Sequence, residues 1–190
     1  MSERTQIVCL HEGEAGRSID PVFINALLKR LRPAWVRPWK GSNIVRLRAC
    51  GGRTDLLAAL PAELRAAAAM GGVTTLLVWA DLDDDMPDGE ALRQRFWAEA
   101  QRAGVGREQF EQVVFVFAKD RLENWIQFLL TGATDERQEG PRVKSNRQVA
   151  EAARALADRC RGRDEGPTLP ASLLWSCRNW RALAQRMGTA

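Results

Sequence analysis

The stretch VTTLLVWA at residues 73–80 constrains the fold more than any other feature of the chain, because it is apolar almost throughout. A strand with one wet face alternates apolar and polar residues. A run without alternation sits centrally, covered on both faces, as in a parallel sheet flanked by helices. A similar run, VVFVFA, occupies residues 113–118, and a shorter one, QIVCL, occupies residues 6–10. Helical patterns follow each of them. Asp20–Pro21 reads as an N-cap with proline at the first helical position, and Phe23, Ile24, Leu27, Leu28 and Leu31 then make one apolar face until Pro33. Residues 34–39 read as the second strand. Residues 55–70 read as an Ala- and Leu-rich helix ending at Gly71–Gly72. Leu92, Phe96, Ala100 and Ala103 mark a third helix closed by Gly104, and residues 122–130 mark a fourth.

Successive strand–helix units imply the α/β class, with a four-stranded parallel sheet flanked by helices. This unit is expected to span residues 1–132. A polar stretch at 131–146 leads to two further helical patterns, near 147–160 and 171–187, so residues 133–190 are expected to form a two-helix C-terminal appendage. In the last of these helices Leu173, Cys177, Trp180, Ala184 and Met187 form one apolar stripe. Such a stripe either packs on its own domain or meets a partner. In the second case Trp180 is the anchor, with Leu173 and Met187 beside it, and a homodimer or a different protein is the occupant.

Composition narrows the class. Of 190 residues, 45% are apolar and 27% charged, as in ordinary globular chains. No apolar run is long enough for a bilayer, and no signal-peptide core follows the first residues, so a cytoplasmic protein without a membrane partner is expected. The four cysteines lack CxxC spacing and His11 is the single histidine, which excludes zinc ribbons, disulfide scaffolds and multi-histidine metal sites. A net charge of +4 hides a strong asymmetry. No acid falls between Asp20 and Asp55, where Lys29, Arg30, Arg32, Arg37, Lys40, Arg46, Arg48 and Arg53 stand. From Asp81 to Glu90 the reverse holds. Polyanion binding beside a metal produces this pattern, and so does a solvated basic surface next to an acidic turn.

In an open parallel sheet, functional groups gather beyond the carboxyl ends of the strands. Glu12 and Glu14 follow the first strand, and Asp81, Asp83 and Asp85 follow the third. If those two strands are neighbours, Glu12 faces Asp81 and Asp83 across a crevice. Converging carboxylates raise one another's pKa unless a cation offsets the charge, and an all-oxygen set suits Mg²⁺ or Mn²⁺ better than Zn²⁺. Asp85 is a further candidate ligand. Glu14, Asp84 and Asp85 also read as solvated spectators, and Asp88 and Glu90 as favourable charges at a helix N-terminus. His11 reads as a polar residue at a strand end or as a base beside Glu12. Trp79, Trp97 and Trp125, with Trp35 and Trp39, read as packing residues rather than a base-stacking platform.

The segments VCLHEGE (8–14) and VWADLDDD (78–85), followed by Gly89, resemble the Toprim domain shared by topoisomerases, bacterial primases and certain nucleases. Gly52–Arg53–Thr54–Asp55–Leu56 and Leu122–Glu123–Asn124–Trp125 are similar to segments of small stand-alone bacterial Toprim proteins. The resemblance covers roughly residues 6–132, and His11 beside the motif glutamate departs from it. It implies a Toprim-like fold in which Glu12, Asp81 and Asp83 are catalytic and metal-binding. It also implies that Glu123 completes a second metal position, and that Arg53 and Lys40 hold the flanking phosphates of DNA or RNA.

Absences prune that family. The chain has no tyrosine for a covalent topoisomerase link, no zinc-binding cysteine pattern and no GxxxxGK[ST] loop for nucleotide hydrolysis. The expectation that remains is a divalent-metal-dependent nuclease. The alternative is a non-catalytic Toprim-like subunit binding nucleic acid or protein inside a larger complex. The resemblance places such proteins in bacterial defence or toxin settings, often beside an ATPase.

Overall fold

The computed structural model describes residues 6–31, 45–69, 74–160 and 167–188. They form an α/β fold with a four-stranded, all-parallel sheet in the order β2-β1-β3-β4, as the uninterrupted apolar runs require. The strands are β1 (Gln6–His11), β2 (Val45–Ala49), β3 (Thr74–Leu82) and β4 (Val114–Lys119). Between and after them run α1 (Asp20–Leu31), α2 (Arg53–Ala69), α3 (Gly89–Arg102), α4 (Arg107–Glu111), α5 (Leu122–Thr131), α6 (Asn146–Cys160) and α7 (Ala171–Gly188).

Alternate side chains of each central strand enter opposite layers, which follows from the two-residue period of a strand. Ile7, Cys9, Leu77, Trp79, Val114 and Val116 join α1, α5, α6 and α7. Val8, Leu10, Leu76, Val78, Phe115 and Phe117 join α2, α3 and α4. The first layer centres on indoles. Trp79 lies 5.6 Å from Phe23 and Trp125 and 5.9 Å from Trp180, ring centre to ring centre. The expectation that Trp79 and Trp125 are packing residues therefore holds, whereas Trp35 and Trp39 lie outside the described residues.

Three features of the structure go beyond the sequence expectations. The strand expected at 34–39 lies outside the described residues, and the strand beside β1 is Val45–Ala49, VRLRA. Its apolar–basic alternation is the mark of a half-buried edge strand, with Arg46 and Arg48 exposed. The short helix α4 gave no periodic signal. Third, the C-terminal helices, expected as an appendage from residue 133, share a core with the sheet. Helix α6 lies against α1 and α5, and α7 lies along β4, so both complete the sheet's cover. Leu173 and Trp180 are fully buried in the chain's own core, the first of the two alternatives for the α7 stripe. The side chain of Met187 lies outside the described residues.

The connections place the site. From β1 the chain crosses to β2 on one side, and from β3 it crosses to β4 on the other. The two connections diverge between β1 and β3, which opens a crevice at their carboxyl ends. Among the described residues, no helix is long and apolar enough to cross a membrane.

Candidate active site

The register His11↔Trp79 brings the end of β1 beside the end of β3, so Glu12 comes next to Asp81. Glu12 extends the ladder by donating its N–H to the Trp79 carbonyl at 3.1 Å. Its Oε2 in turn accepts the N–H of Asp81 at 3.2 Å. Gly13 then turns the chain. A Cβ at Gly13 would lie 2.4 Å from Ser18 Oγ and 2.7 Å from Asp20 Oδ2, so only glycine lets this loop close.

The loop carries an acid that the sequence reading assigned elsewhere. Asp20 opens α1, and both of its carboxylate oxygens accept hydrogen bonds from side chains. Oδ1 accepts the indole N–H of Trp79 at 3.0 Å, and Oδ2 accepts the Ser18 hydroxyl. Ser18 Oγ itself takes the Asp20 N–H at 3.1 Å, the role expected of Asp20. Glu12, Gly13, Asp20, Gly51, Gly52 and Asp81 line a crevice of about 280 Å³ at this point. Asp–Pro before an apolar run is an ordinary helix start, so nothing local marked Asp20 as a site residue.

Electrostatics tie the acids together. Burial pushes the Asp81 carboxyl well above the usual range, and repulsion from Asp20, Glu12, Asp83 and Glu123 adds to the shift. Burial likewise pushes Asp20 up to about 6, partly opposed by the Trp79 hydrogen bond, with Glu123 and Glu12 raising it further. Among the described residues, no hydrogen bond reaches the Asp81 carboxylate. This crowding of acids involves Glu12, Asp20, Asp81, Asp83 and Glu123.

One cation answers it. Arg53, at the start of α2 and only 12% exposed, donates Nε to Glu12 at 3.2 Å and Nη2 to Asp83 at 2.8 Å. The same Nη2 donates to the Asp81 carbonyl at 2.5 Å. Arg53 was expected to face phosphate; in the structure it clamps the acids of both strands. With the guanidinium between them, no three acid, histidine or cysteine side chains among the described residues already stand at metal-ligand spacing. The acids gathered here, Glu12, Asp20, Asp81 and Asp83, offer carboxylate oxygen, the donor type a hard divalent cation takes.

Other expected residues divide. Glu123 opens α5 close enough for its charge to raise both Asp20 and Asp81. Asp85, a candidate ligand, turns away and pairs with Arg95 at 3.2 Å. Asp84 pairs with Lys119 at 3.1 Å, and Glu14 with Arg17 at 3.3 Å. Asp88 caps α3 by accepting the Ala91 N–H at 2.9 Å. His11 is buried, and that burial lowers its pKa; its Nδ1 meets no partner among the described residues. Lys40 lies outside the described residues. The basic segment does not form one stripe where it is described: Arg30 pairs with Asp158 at 3.1 Å, while Arg46 and Arg48 share Glu63.

Comparison with protein-family models, with curated proteins and with solved structures finds no match for this chain.

Proposed function

We propose that this chain is a Toprim-type, divalent-cation-dependent nuclease whose site is the crevice between β1 and β3. The observation that carries the proposal is the crevice lined by Glu12, Asp20 and Asp81 where the sheet's connections diverge, with Asp83 tied to Glu12 through Arg53. The likeness of VCLHEGE and VWADLDDD to Toprim motifs supplies the substrate class, a nucleic-acid phosphodiester. Mg²⁺ or Mn²⁺, when bound, supplies electrophilic polarisation of a phosphoryl oxygen. The protein's own part is positional. Glu12 is fixed by the Asp81 N–H, and Asp20 by the Trp79 indole, so both carboxylates are preorganised on rigid elements. Glu12 and Asp83, which Arg53 now holds, would be the carboxylates a bound cation shares, and Arg53 would be the side chain placed to hold a flanking phosphate.

Calorimetric titration with Mn²⁺ and Mg²⁺, followed by incubation with single- and double-stranded DNA and RNA, tests this. Saturable binding and cleavage, both lost in Asp81→Asn, are expected. No heat and no cleavage would remove the enzyme reading.

One observation favours a second reading, a conditional subunit. Arg53 already neutralises Glu12 and Asp83, and the described basic residues Arg30, Arg46 and Arg48 each hold a carboxylate. In that case the isolated chain is latent, and a partner such as an ATPase or a second copy frees Arg53. Metal binding without cleavage by the isolated chain would select this reading.

A further inference from the structure

We propose that Cys160 and Cys177 form a reversible disulfide site that locks the two C-terminal helices together. The sulfurs of these residues lie 3.1 Å apart, Cys160 on the last turn of α6 and Cys177 within α7. A disulfide needs an approach of about 1 Å more. Both residues are buried, at 8% and 1% exposure, so the thiols are held facing each other by the core rather than meeting by chance on a surface. The other two cysteines are directed elsewhere: Cys9 Sγ contacts the Leu10 carbonyl and Cys50 Sγ the Arg48 carbonyl.

The oxidant is a low-molecular-weight disulfide of the glutathione class. The Cys160 thiolate, on the more exposed of the two residues, attacks one glutathione sulfur, forming a mixed disulfide and expelling a glutathione thiolate. The Cys177 thiolate then attacks the Cys160 sulfur and expels the second glutathione. Two protein thiols lose two electrons, one glutathione disulfide gains them, and the two cysteine protons end on the two glutathione thiols. The bond would connect α6, which lies on α1 and α5, to α7, which lies along β4. It would thereby fix the helix that seals the sheet edge. Nothing in the spacing of the cysteines signals the pair; only the docking of the two helices does.

The test is refolding of the intact chain in a glutathione redox buffer, then alkylation, proteolysis and mass spectrometry. The expected result is one intramolecular link, Cys160 to Cys177, with loss of two hydrogens, reversal by dithiothreitol and a melting midpoint higher by roughly 6–12 °C. Cys177→Ala should abolish the link and the shift, while Cys9→Ala and Cys50→Ala should keep both. A link to Cys9 or Cys50 overturns the proposal. So does retained glutathione on either residue, or two unmodified thiols after refolding. The mass readout on the unmutated chain stands even if a variant fails to fold.

Discussion

Ser176 Oγ accepts the backbone N–H of Phe117 at 3.1 Å and donates to the carbonyl of the same residue at 3.2 Å. A helix side chain thus takes the place of a neighbouring strand. The arrangement repeats along β4, the outer strand on that side of the sheet. Ser172 Oγ accepts the Lys119 N–H at 3.2 Å, and Asn179 Nδ2 donates to the Phe115 carbonyl at 2.7 Å. Residues 172, 176 and 179 share one face of α7, and residues 115, 117 and 119 share one pleat of β4. The steps are similar in size, about 6 Å and about 4.5 Å along the helix against about 6.6 Å for each strand pair. An open edge invites pairing with another chain, and α7 blocks this one.

Ser176→Ala leaves the N–H and the C=O of Phe117 without partners in a fully buried setting. The expected loss is about 1–3 kcal/mol of folding stability, read from urea denaturation with an unchanged slope. A chain ending at Pro170 goes further by uncovering the whole edge, and light scattering should show it self-associating. A monomeric, fully stable truncation would mean that α7 is dispensable to the sheet.

The central strands and most helices were legible in the sequence because burial on both faces leaves a run of apolar residues that needs no context. Edge features were not. VRLRA reads equally well as part of a basic segment, and its strand character rests on pairing with β1. Glu12, Asp81 and Asp83 were legible because they stand at or just past the carboxyl ends of apolar runs. Asp20 was not, since its side chain is committed by Trp79, 59 residues away. The role of Arg53 was half legible. Its place at the mouth of the sheet was apparent, but not its clamp on two acids, which depends on how the loops after β1 and β3 fold back. Apolar stripes on α6 and α7 were plain, yet a stripe does not say what covers it.

Asp20 gives the apo protein a measurable pH dependence. Its carboxyl sits near 6 when folded, raised from an ordinary 3.8 mainly by burial. A raised folded value means that ionisation opposes folding. The group is neutral in both states below about pH 4, and stability falls as pH rises through 6. The shift corresponds to an upper bound of about 3 kcal/mol. Asp20→Asn keeps an acceptor for the Trp79 indole and removes the charge. Melting curves should show the variant gaining on wild type between pH 4 and 7 and level with it at pH 4. A constant difference across that range would rule out Asp20 as the titrating group.

Arg53→Gln separates the clamp from the cation reading. Without the guanidinium, Glu12 and Asp83 lose a charged partner, and the apo chain should lose roughly 2 kcal/mol, or about 4–8 °C in melting midpoint. The same change should tighten Mn²⁺ binding several-fold, because nothing then competes for the acids. Weaker or unchanged Mn²⁺ binding in a folded variant would place the ion, if any binds, away from Arg53.

Trp180 tests whether the C-terminal helices belong to the core and whether that core supports the site. The indole is fully buried, tilted at 52° to Trp79, and its Nε1 meets no partner among the described residues. Trp180→Phe removes that unpaired donor and keeps an aromatic ring, so the loss should stay below about 2 kcal/mol. Trp180→Ala leaves a cavity and should cost about 3–5 kcal/mol. Trp180→Glu places a charge against Trp79 and should leave the chain unfolded or insoluble. A soluble, folded Trp180→Glu variant with a changed oligomeric state would instead restore the partner surface that the stripe first suggested. The Phe variant carries the second question. Trp79 touches Trp180 on one side and holds Asp20 at 3.0 Å on the other, so a shift of the ring reaches the carboxylate. Near-ultraviolet circular dichroism should change for Trp180→Phe, and the pH midpoint assigned to Asp20 should move with it. If the dichroism changes while that midpoint stays fixed, the indole layer and the acidic crevice are mechanically separate.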